Sequence, residues 1–243
     1  MLKNFVFTFL VLVFSLIPIS CEQLEKVTAI LSESEIVSGL KEALNIGATT
    51  AGNQLSQTDG YFGNALLRIA LPPEAKPLIE NISLIPGGQT LLNEVVLKMN
   101  RGAEKAASKA APIFVNAITN MTVADGRNIL VGNDSAATSF LRQKTFSQLN
   151  LAFRPEINTA MNEVGAATAW NSLFGNYNSY VSTFPGNLLN LDTVNSNLGA
   201  YATGKALNGL FIKVADQEKL IRDNPAQRTT DLLKKVFAEQ DPK

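Results

Sequence analysis

The chain has 243 residues, 46% of them apolar and 17% charged, with 21 basic and 21 acidic side chains. That length and apolar content suit one large folded domain or two small ones and exclude a disordered chain. The charges balance and no basic run exceeds Lys234–Lys235, so the phosphate-seeking excess of a nucleic-acid binder is missing and no nucleic-acid partner is expected.

There is no histidine, which removes histidine-assisted nucleophiles, histidine proton shuttles and histidine metal ligands. The sole cysteine, Cys21, excludes an intramolecular disulfide and a thiolate metal cluster. No cofactor or metal is expected on this chemistry.

Residues 1–20, MLKNFVFTFLVLVFSLIPIS, read as a signal peptide. Lys3 gives a short positive start, and Phe5 to Ile19 is an apolar run too short for a spanning helix. Cys21 follows immediately, and Ile19-Ser20-Cys21 resembles a bacterial lipobox, with Pro18 departing from the usual Leu or Val. The expectation is an acylated Cys21 that ties a periplasm-facing protein to a bacterial envelope membrane, more than one acyl chain being needed for a stable anchor. Residues 21–31 then form a lipidated tether, and residues 32–243 form one helical domain.

Ser32 and Glu35 have capping-box spacing. They open a helix on Ile36, Val37, Leu40, Leu44 and Ile46 that runs to about Leu55 and stops at Thr58-Asp59-Gly60. Leu66 to Leu71 is the best strand in the chain, closed by Pro72. Pro73 starts a short helix to about Ile82. Pro86-Gly87-Gly88 is a turn, and from Gln89 a helix presents Leu92, Val96, Met99, Ala103, Ala106 and Ala110 at spacings of three and four. Its second half is nearly all alanine, which lets another helix come close.

Pro112 opens a segment to Ile118. Thr122 and Asp125 repeat the capping-box spacing, and Gly132 closes that helix. Asn133 or Asp134 caps a helix to about Leu141. Thr145 to Phe153 is helical, with a kink or restart at Pro155 before Ile157 to about Phe174. An amide- and aromatic-rich loop spans residues 175–190. Asp192 or Thr193 begins a long helix to Arg222, broken by Asp223-Asn224-Pro225. Thr229 or Thr230 caps a last helix carrying Leu232, Leu233, Val236 and Phe237. The fold class is all-α, a single multi-helix domain with at most one short strand or hairpin near 66–71.

Several polar residues fall inside the apolar stripes. Asn100 and Glu104 lie four apart on the alanine-striped helix. Glu218 sits within the stripe of Leu207, Leu210, Phe211, Val214 and Ile221, with Arg222 one turn on in the favourable acid-before-base order. Lys205 follows Tyr201 by one turn, and Arg228 lies just beyond the break. These read first as exposed pairs, with Lys205 as a snorkelling lysine, and otherwise as part of a buried cluster, in which charges must find partners. Asn100, Glu104, Tyr201, Lys205, Glu218, Arg222 and Arg228 are therefore the candidate polar cluster or ligand site.

The blocks GLKEAL (Gly39–Leu44), DGYFGN (Asp59–Asn64), MNRGAEKA (Met99–Ala106), AITNMTVADGRNIL (Ala117–Leu130), AATSFLR (Ala136–Arg142), YATGKALNGLF (Tyr201–Phe211) and IRDNPAQRTTDLLKKVF (Ile221–Phe237) together resemble the bacterial domain-of-unknown-function family 4197. The resemblance spans about Ile36 to Phe237. It implies an envelope-associated bacterial protein and supplies no activity, cofactor or catalytic residue. The family tends to alanine where Gly102 and Gly126 stand, and each glycine within a helix costs about 1 kcal/mol relative to alanine.

The functional expectation is a lipid-anchored, non-enzymatic envelope protein whose helical domain binds a small ligand or a protein partner. The alternative is a carboxylate-dependent hydrolase of an envelope or storage glycan, using Glu104, Asp125 or Glu218 as acid or base. A structural scaffold is a third possibility, marked by a large exposed apolar patch. Labelled palmitate fed to cells should be incorporated into the wild-type chain and not into Cys21→Ala; equal labelling of the two contradicts the lipid anchor.

Overall fold

Helix α1, Glu33–Ser56, begins at a closed capping box. The Ser32 hydroxyl accepts from the Glu35 N–H at 3.2 Å, and the Glu35 carboxylate accepts from the Ser32 N–H at 2.9 Å. The Ser32 hydroxyl, donating to the Glu35 carboxylate at 2.7 Å, and then the Ser32 N–H hold the Glu35 carboxyl below its usual range. The helix stops at an extended Gln57, and Asp59 in the turn that follows is left-handed, φ 67°, a conformation that a short acidic side chain tolerates.

The computed structural model describes residues 32–76, 88–163 and 197–238, with scattered positions at 79 and between 165 and 189. The chain divides into two compact units, Met1–Ile30 and Leu31–Lys243. The first lies outside the described residues, and the signal segment, the tether and Cys21 lie there with it.

Beyond α1 the domain continues through α2 (Gly88–Ala107), α3 (Ala110–Thr119), α4 (Val123–Leu130), α5 (Ala136–Asn162), α6 (Leu198–Asp223) and α7 (Asp231–Ala238), with 3₁₀ turns at Pro73–Ala75 and Pro225–Gln227. The fold is all-α. α1 packs against α2, α3, α4, α6 and α7, while α5 packs against α2, α3, α4 and α6. Leu40, Leu55, Met99, Phe114, Leu141, Phe153, Leu207 and Leu210 meet in the core between them. Phe114 and Phe211 meet edge to face, centroids 6.0 Å apart, a favoured arrangement for aromatic quadrupoles. Among the described residues no helix is long and apolar enough to cross a membrane.

Two expectations change. Residues 66–71 form a turn and irregular backbone, and no strand forms among the described residues. The alternation is real, with Leu67 and Ile69 buried and Leu66, Arg68 and Ala70 exposed, but no second strand pairs with it. α5 is one helix where three segments were expected, with Pro155 inside it. Leu141, Thr145, Leu149, Phe153, Ile157 and Met161 recur every four residues on its buried side, a ridge that packs into a neighbour's grooves. Pro155 and Leu151, whose carbonyl loses its donor, both lie on the exposed side, so water reaches the defect and the helix continues. The Thr122–Asp125 box of α4 and the Thr230 cap of α7 form as expected. The helix expected from Asp192 or Thr193 starts at Leu198, capped by Asn197; both expected starts lie outside the described residues.

α2 and α5 meet at Gly102. A Cβ on Gly102 would stand 2.8 Å from the Ile157 Cα and 3.1 Å from the Ala160 Cβ. The alanine stripe and this glycine together let the two backbones touch. Lys105 and Lys109 bind Glu156 beside the contact, and Lys98 binds Glu163 at 2.8 Å. Lys109 and then Lys105 keep the Glu156 carboxyl below its usual range.

The reading of Gly102 as a helix-weakening residue therefore reverses: its missing side chain is what the packing requires. Gly204 on α6 has nothing within 4 Å of its would-be Cβ. Gly102→Ala should lose about 1–3 kcal/mol through overpacking, despite its better helix propensity. Gly204→Ala should gain up to about 1 kcal/mol. Urea unfolding of both variants checks the pair; equal gains would contradict the close α2–α5 contact.

Candidate functional site

The seven polar residues singled out in the sequence do not form one cluster. Asn100 and Glu104 fasten the segment after α1. Glu218, Arg222 and Arg228 fasten helix ends. Tyr201 and Lys205 line an open groove.

Asn100 is fully buried on α2. Its Oδ1 accepts from the Ile69 N–H at 2.8 Å, and its Nδ2 donates to the Ile69 carbonyl at 2.9 Å and to the Val96 carbonyl at 2.7 Å. One carboxamide thus takes the place of the missing partner strand. One turn on, Glu104 Oε1 accepts from the N–H groups of Tyr61 and Phe62 at 3.2 and 3.1 Å, and Oε2 accepts from Arg101 at 2.7 Å. Arg101 also binds Asp59 at 2.8 Å. The buried Tyr61 hydroxyl donates to the Ala206 carbonyl at 2.8 Å. Its ring lies so close to α6 that a Cβ on Gly209 would be 2.8 Å from it. Burial, and then the Glu104 charge, push the Tyr61 phenol above its ordinary range, so it stays a donor.

Glu218 works at the opposite terminus of its own problem. α5 has no side-chain cap from Ser135. Glu218 of α6 supplies one: Oε1 accepts from the Ala137 N–H at 3.0 Å, and Oε2 accepts from the Thr138 N–H and hydroxyl at 2.8 and 2.7 Å. A carboxylate at a helix N-terminus meets two orphan donors and the positive end of the dipole. Arg222 binds Glu218 at 3.0 Å and donates to the Ile129 carbonyl at 2.9 Å, at the end of α4. The pair is 5% and 9% exposed at its side chains. Arg228, also buried, donates to the Ile221 and Arg222 carbonyls at 3.1 and 2.8 Å, at the end of α6. Beside Glu218 and Arg222, between α1, α5 and α6, is a crevice lined by Leu40, Leu44, Leu141 and Val214. It offers a water centre about 20 Å³, room for about one water, so it is a packing gap.

The third place is an open groove of about 240 Å³ between residues 66–70 and one face of α6. Tyr201, Lys205, Asn208 and Ile212 line the α6 wall, and Leu66 and Arg68 line the other. The Lys205 ammonium lies 5.6 Å from the Tyr201 ring centroid, and the Arg68 guanidinium lies 4.2 Å from that of Phe62. Partial burial, then the Glu74 charge, raise the Tyr201 phenol. Arg142 donates to the Asn208 Oδ1.

Arg68, Arg101 and Asn208 escaped the sequence reading. Arg101 stands three residues before Glu104, a spacing that announces an ion pair on a helix. Nothing local announces Arg68 or Asn208, whose roles depend on where the 66–70 segment lies. Asp125 spends its carboxylate on Thr122, whose hydroxyl and N–H hold it below its usual range.

A family model described as "Protein of unknown function (DUF4197)" matches residues 30–238. Comparison with functionally described proteins and with solved structures returns no match.

Glu218→Ala leaves Arg222 buried without its acid and two α5 donors without an acceptor. It should lose about 3 kcal/mol of unfolding free energy, as broken buried pairs do. Asn100→Ala should lose about 2 kcal/mol, because the buried Ile69 groups then go unbonded. Urea denaturation measures both; losses under about 0.5 kcal/mol, the surface level, would contradict the fastening roles.

Proposed function

The chain belongs to the DUF4197 family, and we propose that it is a bacterial envelope protein, tethered through an acylated Cys21, that binds a small ligand in the groove between residues 66–70 and α6. The tether reading is supported by the leader segment and by the position of the only cysteine directly after it. The binding reading is carried by one observation, the division of labour among the polar side chains. The buried acids Glu104 and Glu218 give their oxygens to backbone N–H groups and guanidinium groups. Arg68, Tyr201 and Lys205 instead face an open groove.

This favours binding over glycan hydrolysis. A glycosidase pair needs one acid free to give a proton and another free to attack or to activate water. Glu104, Glu218 and Asp125 are each bonded where they serve the fold.

A ligand screen by thermal shift on the chain from Glu22 onward tests the reading. A ligand of the folded state present at about 100 times its Kd adds about 2.7 kcal/mol. At least one small molecule should raise the melting temperature of the wild type, with the rise reduced in Tyr201→Ala/Lys205→Ala. A rise that survives that double change, or none across the screen, contradicts the groove as the binding site.

A further inference from the structure

Resting on the groove proposed above as the binding site, we infer that its ligand is a small amphiphilic anion: one anionic head group joined to a short apolar portion. Many cations elsewhere on the domain surface stand beside acids, as in Lys98–Glu163, Arg101–Asp59, Lys105–Glu156, Lys213–Asp216 and Lys234–Asp231, while Lys41 and Lys144 bind a carbonyl and an aromatic ring instead. In the groove Arg68 and Lys205 come from opposite walls, and each rests against an aromatic ring. Among the described residues no carboxylate forms an ion pair with either. The groove lining holds these two cations and no acid; Glu74, from the 3₁₀ turn, is the acid whose charge reaches Tyr201.

Arg142 occupies the Asn208 oxygen, so the Asn208 amide hydrogens are left to donate. The Tyr201 hydroxyl stands one helical turn from Lys205 on the same wall. A fork-shaped guanidinium, a compact ammonium, an amide and a phenol make a donor set for an oxyanion. Leu66 is 88% exposed and Ile212 is 47% exposed, and both line the same groove. An alkyl portion covers them when the head group meets the cations. At about 240 Å³ the groove is smaller than the usual pocket for a drug-sized ligand, which suits a head group and a short chain.

The test uses the full-length protein held in zwitterionic lipid nanodiscs, with empty discs as the blank, titrated calorimetrically with hexyl phosphate, hexyl glucoside and inorganic phosphate. Hexyl phosphate should bind at least about tenfold tighter than either of the others. Arg68→Gln/Lys205→Gln, both exposed positions, should lose at least about tenfold of that affinity, while Lys219→Gln elsewhere on α6 should keep it. Inorganic phosphate binding as tightly as hexyl phosphate overturns the apolar part of the inference. Equal affinity for the two hexyl compounds, each weakened by Leu66→Ser, overturns the anionic head and leaves the groove reading standing. Binding indifferent to every groove change, or no binding of any of the three, overturns both.

Discussion

The Glu218 carboxylate joins three helices at one buried point. It accepts from the first turn of α5 and binds Arg222 on its own helix, and Arg222 reaches on to the end of α4. A negative charge, two orphan N–H groups and a guanidinium thus satisfy one another in a place where water is largely excluded. Remove one and the others are left with an uncompensated desolvation cost, which is the expensive half of any buried polar interaction. This contact fastens the start of α5 and the end of α4 to α6, beside the apolar packing and the Arg142–Asn208 bond that also join α5 to α6.

The same logic operates at the other side of α6. Asn100 and Glu104 hold residues 59–71 against α2, and Tyr61 ties that segment to the Ala206 carbonyl of α6. The segment's own turns absorb part of its backbone groups, and Asn100 and Glu104 absorb others. In doing so they set the outer wall of the groove, from Leu66 to Ala70, at a fixed distance from Tyr201 and Lys205. The buried residues thus build the groove, and the exposed ones furnish it.

Much of this was legible locally. Both capping boxes, at Ser32–Glu35 and Thr122–Asp125, are three-residue patterns whose partners are close along the chain, and both form. Glu218 and Arg222 are four apart, and they pair. The targets of those residues were not legible, because Thr138 is 80 residues from Glu218 and Ile69 is 31 from Asn100. The alternation at Leu67–Ile69 truly marks which side chains are buried, yet no pattern tells that a carboxamide, and not a paired strand, holds Ile69. Pro155 looked like a break because proline removes a donor, and it is tolerated because the lost bond faces water while the four-residue ridge continues beneath. Gly102 looked like a weakness because helix propensity is a local quantity, whereas its worth is set by Ile157 on another helix.

The most direct test of the claim that buried carboxylates fasten this fold is native-state hydrogen exchange at Tyr61, Phe62, Ala137 and Thr138. These amides sit in a turn and in a helix's first turn, where no helical carbonyl is available to them. If Glu104 and Glu218 hold them, they should exchange only with large-scale unfolding, at rates close to those of core amides such as Leu149 and Leu210. Fast exchange at the four, at the rate of frayed helix ends, would contradict the account.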